Sequence, residues 1–350
     1  SAPDKELPKI AQFKDINAYD VIPMGTVLFM IGEDGFYQYD YSDLQNIKGF
    51  FNFMTNASDD FNNNSKKIIS IIGCGLIGQA WAVVFLRAGF NVKIYDKKRK
   101  ITEHAKLGIE DKIKELGSFG LVNQHLIAEM MLNLTLENGL EDALRGSCYV
   151  QECGPEDLEI KSKLTAAIDE YTDEGVPIGS STSGIPASSY AAEAKGRNRC
   201  LVVHPINPPH LIPAVEIVPS QWTDKSVLET ASKIMFASGQ TPIVLEKEIE
   251  GFILNRLQGA LLTEAFQLLA DGVASYEDID KAVTDGLGFR WSLMGPFESI
   301  HLNAPLGVAQ YIERYGPMYR KMFSNTGDKT DWSLALEKGL EESLVKKHPI

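Results

Sequence analysis

The chain has 350 residues, 44% of them hydrophobic and 23% charged, which is the balance of a globular protein with enough core for two ordinary domains and a third small piece. Its 47 acidic and 34 basic residues leave a formal net charge of -13, which argues against a nucleic-acid partner held by phosphate neutralisation. No stretch approaches the roughly 20 uninterrupted apolar residues that a membrane-spanning helix needs.

Residues 1–66 read as an N-terminal extension and linker. Met24 to Tyr41, with the turn signal Gly32-Glu33-Asp34-Gly35, predicts a β-hairpin, and Asn62-Asn63-Asn64-Ser65 is a polar, turn-prone linker. A strand-bearing arm that covers its own or a neighbour's surface is expected there.

From Lys67 the pattern becomes strand, turn, helix, strand. Lys67 to Ile72 and Asn91 to Tyr95 are β-branched runs suited to buried parallel strands, and Gln79 to Arg87 between them predicts a helix closed by Gly89. Ile101 to Leu116 and His125 to Leu132 read as an inserted helical hairpin. Strand-like runs follow at Ser147 to Glu152, Val176 to Ser180, Cys200 to His204, Ala214 to Val218 and Thr241 to Leu245. The expected fold is therefore α/β, a Rossmann-like doubly wound sheet over 67–247.

After Gly251 the periodicity is helical. Phe252, Leu254, Leu257, Leu261, Leu262, Ala265, Phe266, Leu268 and Leu269 recur with apolar residues nearly all round, which predicts an all-helical domain over 248–335. Apolar content beyond one face is what a subunit interface adds, so a homodimer through this domain is expected. Residues 336–350 remain as a C-terminal tail. Cys74, Cys148, Cys153 and Cys200 form no CxxC pair or dense framework, and the six histidines show no zinc spacing. No metal is expected, and a reducing compartment is. Cytoplasmic location is the first expectation; the start at Ser1 equally fits a mitochondrial-matrix protein whose presequence was removed.

Gly73-Cys74-Gly75-Leu76-Ile77-Gly78 is a GxGxxG placed directly after a strand and opening a helix. Gly73 permits the tight turn, Gly75 lets the backbone approach a pyrophosphate, and Gly78 lets helix and strand pack closely. The N–H groups at Leu76 and Ile77 begin the helix, whose positive end holds a diphosphate. Asp96 closes the second strand 18 residues after Gly78, where a carboxylate accepts ribose hydroxyls and repels a 2'-phosphate. Lys97-Lys98-Arg99-Lys100 follows and tolerates a phosphate, but NAD is the expected cofactor.

His204 follows a strand, at the sheet edge where ligands of such folds bind. Its imidazole can take the proton of an alcohol as hydride leaves the same carbon. Glu216, twelve residues on, is placed to return beside it as the orienting carboxylate. A histidine after a strand is more often structural, and this one gains weight from its partners.

Those partners are Ser181-Thr182-Ser183-Gly184, His204-Pro205-Ile206-Asn207-Pro208, Pro213 to Val218 and Gly251-Phe252-x-x-Asn255-Arg256. In order and spacing they resemble the 3-hydroxyacyl-CoA dehydrogenase superfamily over about 67–335. The resemblance implies that His204 is the general base, Glu216 its partner, Ser183 a hydroxyl donor to the substrate oxygen and Asn255 a polarising amide. It also implies that Glu152 lies near the nicotinamide side of the cofactor. Val150-Gln151-Glu152-Cys153-x-Pro155-Glu156-Asp157-Leu158 and Gly286-Leu287-Gly288-x-Arg290, with Gly295-Pro296-x-Glu298-x-x-His301-Leu302-Asn303 beyond it, narrow the likeness to the lambda-crystallin and L-gulonate 3-dehydrogenase branch. Arg290 is the expected substrate clamp, because a guanidinium grips a free carboxylate with two parallel hydrogen bonds and a thioester offers no such charge.

The expected function is oxidation of the 3-hydroxyl of a small hydroxy acid, L-gulonate first. A short 3-hydroxyacyl-CoA or L-carnitine is the alternative substrate, with Phe289 and Trp291 as aromatics for a quaternary ammonium. A structural protein that kept the fold, as crystallins did, or a subunit of a larger assembly joined through residues 1–66, is the reading from another class.

Overall fold

The computed structural model describes residues 18–24, 27–32, 35–40, 67–323 and 339–347. The hairpin turn at Glu33-Asp34 and the linker at Asn62 to Ser65 lie outside the described residues, as do 336–338 and 348–350 of the expected tail.

In the extension, β1 (Ala18–Met24), β2 (Val27–Gly32) and β3 (Gly35–Asp40) form an antiparallel three-stranded sheet in that order. The expected hairpin is the β2–β3 pair, closed at Gly32 opposite Gly35, and β1 adds a strand the sequence pattern did not announce.

The main sheet is built from β4 (Ile68–Ile72), β5 (Asn91–Tyr95), β6 (Leu134–Leu136), β7 (Ser147–Glu152), β8 (Ile178–Ser180), β9 (Cys200–Pro205), β10 (Ala214–Pro219) and β11 (Thr241–Val244), in the spatial order β11-β10-β9-β8-β7-β4-β5-β6. All neighbours are parallel except β9 and β10, which run antiparallel. The helices of this part are α1 (Leu76–Arg87), α2 (Arg99–Ser118), α3 (Ile127–Leu132), α4 (Leu140–Leu144), α5 (Leu158–Tyr171), α6 (Ala187–Tyr190) and α7 (Lys225–Ala237).

Alternating side chains of each strand feed opposite faces, so the sheet carries two cores. Ile69, Ile71, Leu201 and Val203 pack with Trp81 and Phe85 of α1 and Val227, Ala231 and Met235 of α7. Ile72, Val150 and Val202 pack on the other side with Ile168 of α5, Tyr190 of α6, Leu245 and Phe252. Burial on both faces is why β4 and β9 read as continuous apolar runs rather than alternating ones.

Helix α1 shows how local chemistry sets an element's end. Its interior from Gly78 to Leu86 is buried, and no proline interrupts it. Gly89, at φ 79°, turns the chain left-handed; its N–H reaches the Leu86 carbonyl and the Phe90 N–H reaches that of Phe85. This is the Schellman arrangement, and its usual apolar contact is supplied by the edge-on Phe85 and Phe90 rings, 6.1 Å apart.

The chain divides into two compact units, one up to Gln258 and one from Gly259. Helix α8 (Leu254–Ala270) runs through the division. Beyond it come α9 (Tyr276–Lys281), a π-helical stretch over Ala282–Gly288, α10 (Phe289–Leu293), α11 (Pro296–Leu302), α12 (Gly307–Met322) and α13 (Leu340–Lys347), all helical as the periodicity predicted. Val308 and Ile312 of α12 bury against Leu344 of α13. The apolar content of α8 beyond one face is not covered by the described residues: Leu257, Leu262, Phe266 and Leu269 are exposed.

Candidate active site

Strand order reverses around β4, from whose two sides β5 and β7 extend, and the carboxyl ends of β4 and β7 form the crevice where such sheets bind ligands. The glycine turn sits there. A Cβ on Gly73 would come within 2.5 Å of the Cys153 carbonyl oxygen, and one on Gly78 within 2.0 Å of the Gly73 carbonyl oxygen, so both glycines are needed for close packing. Gly75 differs. A Cβ there would meet nothing within 4 Å, so packing within the described chain does not require a glycine at this position.

No side chain caps the α1 N-terminus, and Leu76 beside it is exposed. The helix start is thus left open for an anion, as a dinucleotide diphosphate requires. Asp96 reaches back to this turn, its carboxylate accepting the N–H of Cys74 at 3.2 Å and that of Lys98 at 3.1 Å. These backbone bonds fix its orientation. The chain's turn, open helix end and anchored carboxylate fit the diphosphate and ribose of NAD.

Burial pushes the Cys74 thiol up to about 12, helped by the Asp96 charge, and raises the Cys153 thiol further. Both stay protonated near neutral pH and offer no competing nucleophile.

His204 and Glu216 are direct cross-strand partners in the antiparallel β9–β10 ladder. Side chains opposite each other on such a pair share a face, and here the imidazole Nδ1 lies 2.7 Å from Glu216 Oε2. Glu216 is fully buried, yet its second oxygen is not orphaned: Oε1 accepts the N–H groups of Ile253 and Leu254 at 2.8 and 2.9 Å. The dyad is therefore tied to the start of α8, where Phe252 holds an uncommon φ of 50° that costs about 1–3 kcal/mol.

One residue beyond that anchor, Asn255 donates Nδ2–H to the Ser183 carbonyl at 2.8 Å. Ser183 belongs to the exposed loop after β8. The structure thus joins His204, Glu216, Asn255 and Ser183 through one run of hydrogen bonds and backbone. With Nδ1 committed to Glu216, Nε2 is the ring nitrogen left for proton exchange.

Glu152 is placed differently from the others. Its carboxylate is buried, pairs with Lys161 Nζ at 3.0 Å and accepts hydrogen bonds from Ser180 Oγ and the Gly154 N–H. It holds the turn after β7 that carries Cys153 against Gly73. Arg290, in α10 of the second unit, is exposed; its carbonyl accepts the Met294 N–H at 3.3 Å, its charge acts on Tyr311, and its guanidinium pairs with no carboxylate among the described residues.

Sequence reasoning gave no role to Glu156. Its Oε1 gathers Thr182 Oγ1 at 2.6 Å, the Ser183 N–H at 2.9 Å and the Gly184 N–H at 3.1 Å, so it shapes the loop that presents Ser183. Nothing local in Pro155-Glu156-Asp157 announces a contact 26 residues away. Lys161, in α5, was likewise unmarked, since a helix lysine ordinarily faces water.

The NAD-binding-domain model of 3-hydroxyacyl-CoA dehydrogenase matches residues 68–249, and the C-terminal-domain model of the same enzyme matches 251–341. The lambda-crystallin homolog of Bos taurus is 37% identical over 282 residues, covering 80% of this chain and 88% of that one. An L-carnitine dehydrogenase of Oceanobacillus iheyensis is 36% identical over 252 residues, covering 72% and 81%. Among solved structures, FadB2 of M. tuberculosis superposes with a TM-score of 0.60 at 28% identity, covering 68% of this chain and 82% of that one.

Proposed function

The chain belongs to the 3-hydroxyacyl-CoA dehydrogenase family, NAD-dependent enzymes of hydroxy-acid oxidation, and we propose that its own substrate is a small free hydroxy acid, L-gulonate, oxidised at the 3-hydroxyl to 3-dehydro-L-gulonate. NAD, when bound, supplies the hydride acceptor. The hydrogen-bonded run from His204 through Glu216 to Asn255 and Ser183 carries the reading.

In this scheme the Nε2 of His204 takes the hydroxyl proton, and Glu216 stabilises the imidazolium that results. Ser183 Oγ and the remaining amide hydrogen of Asn255 hold the substrate oxygen. Gly73, Gly75, Leu76, Ile77, Gly78 and Asp96 hold the dinucleotide, with Glu152 supporting the turn beside them. Arg290 is the candidate group for a carboxylate, because an exposed guanidinium with no carboxylate paired to it among the described residues suits that role. The apolar stripe of α8 is covered by a second copy of the chain in a homodimer, which light scattering tests.

Exposed Phe289 and Trp291 on either side of Arg290 favour L-carnitine as the second reading, because aromatic faces attract a quaternary ammonium. The deciding experiment is a panel of L-gulonate, 3-hydroxybutyrate and L-carnitine with NAD, and acetoacetyl-CoA with NADH. Highest kcat/KM for gulonate supports the proposal. Preference for the CoA ester by an order of magnitude or more overturns it.

A further inference from the structure

The chain passes from Leu245 into α8 through a turn that the proposed chemistry does not use directly. Gly251 has φ 75° and Phe252 φ 50°, two successive left-handed residues, the second carrying a large side chain where glycine is the ordinary choice. The turn does two things. It aims the N–H groups of Ile253 and Leu254 at Oε1 of Glu216, making a small backbone nest around the carboxylate. It also carries the Phe252 ring inward, fully buried, to 5.5 Å from the His204 ring with the planes tilted by 55°.

His204 is therefore restrained twice. Glu216 Oε2 holds the ring edge at Nδ1, and Phe252 lies against the ring itself. A single hydrogen bond at Nδ1 leaves the imidazole free to swing about that contact, and the aromatic neighbour removes this freedom. Glycine at 252 would make the same turn without backbone strain, so the turn alone does not account for a phenylalanine there.

We infer that Phe252 is a positioning residue for His204: its left-handed backbone fixes the Glu216 carboxylate and its ring fixes the imidazole, which together hold Nε2 in one direction. This rests on His204 being the base. The competing explanation is that Phe252 only fills the core among Ile72, Val150, Val202 and Leu245.

The test compares Phe252→Met and Phe252→Leu in the full chain, each in the wild-type and in the His204→Gln background. The readouts are kcat on the best acid of the panel, KM for NAD, NADH binding by fluorescence and the melting temperature. Methionine and leucine have nearly equal volumes and meet the same backbone strain, but methionine's unbranched, flexible chain fills irregular space better, which makes it the second variant should leucine fail to fold. Positioning predicts that kcat falls by roughly 10-fold, within the range a small misplacement causes, while KM for NAD and NADH binding stay within about twofold. In the His204→Gln background the same substitutions should add less than about a twofold loss, because there is no imidazole left to misplace. Equal proportional losses in both backgrounds would show a general packing role and overturn the inference, as would full kcat in folded Phe252→Met. Undiminished turnover in His204→Gln alone would refute the base, and the inference with it, and is read independently of the Phe252 variants.

Discussion

Lys161 and Glu152 form an ion pair sealed under the turn that follows β7: their charged atoms are 3.0 Å apart and each side chain is 1% exposed. Removing Lys161 leaves the buried Glu152 charge with hydrogen bonds from Ser180 and Gly154 but no cation against it, and takes from Glu156 the ammonium 3.8 Å from its Oε2. Lys161→Met should cost about 3–5 kcal/mol of unfolding free energy, and adding Glu152→Gln should recover part of it. Chemical denaturation of the single and double variants measures both. A single-variant loss under about 1 kcal/mol would mean that the pair is effectively solvated.

His204→Gln should lower turnover by about two to four orders of magnitude. NADH affinity, followed by fluorescence titration, should stay unchanged, because nothing in the glycine turn depends on the imidazole. Joint loss of both quantities would point to misfolding of the β9–β10 edge instead.

Gly75 and Gly78 separate cofactor binding from packing. A side chain at Gly75 enters open space and its φ of -68° suits any residue, so Gly75→Val should keep the melting temperature within a degree or two while weakening NAD binding about 10-fold or more. Gly78→Ala collides with the Gly73 carbonyl oxygen and should lower stability as well. Calorimetry alongside NAD titration distinguishes the two.

Glu156→Ala removes the acceptor that gathers Thr182, Ser183 and Gly184. Its effect should fall on the loop: kcat reduced by roughly 10-fold, consistent with misplacement of a contact group, with a smaller change in Glu156→Gln, which keeps one acceptor oxygen. Steady-state kinetics with both variants checks the ordering.

His210 introduces a pH dependence of stability. Burial, then the Lys112 and Arg87 charges, hold its imidazole below the ordinary 6.5, with Glu115 opposing. The unfolded chain therefore binds a proton at 6.5 that the folded chain takes up only at lower pH. Stability from this group is complete above 6.5 and declines as pH falls through the folded value. The difference in unfolding free energy between wild type and His210→Gln, measured from pH 7.5 to 5, should change in that direction; a flat difference would contradict it.

The features visible in the sequence were those with a local signature. The glycine turn, the continuous runs of β4 and β9, and the α8 periodicity each depend on residues close together in the chain, so their physics is written in the spacing. His204 and Glu216 were paired because twelve residues suit a short loop and a returning strand, although the antiparallel sense of that return was not foreseen. Three-residue β6 was missed, since Leu134-Thr135-Leu136 is too short to show a period. Glu156, Lys161 and Phe252 escaped for another reason. Their partners lie far along the chain or, for Phe252, depend on a backbone angle that residue type does not disclose.

The His204–Glu216 alignment is enforced by backbone pairing of Val203 with Ile217 and Pro205 with Val215 on either side of it. The eight residues from Ile206 to Pro213 that join the two strands are therefore released from holding the acid and base in line. That connector is held by contacts of its own, the Pro209 carbonyl accepting from Gln240 and that of His210 from Arg87, so the couple's alignment and the connector's path answer to different parts of the fold.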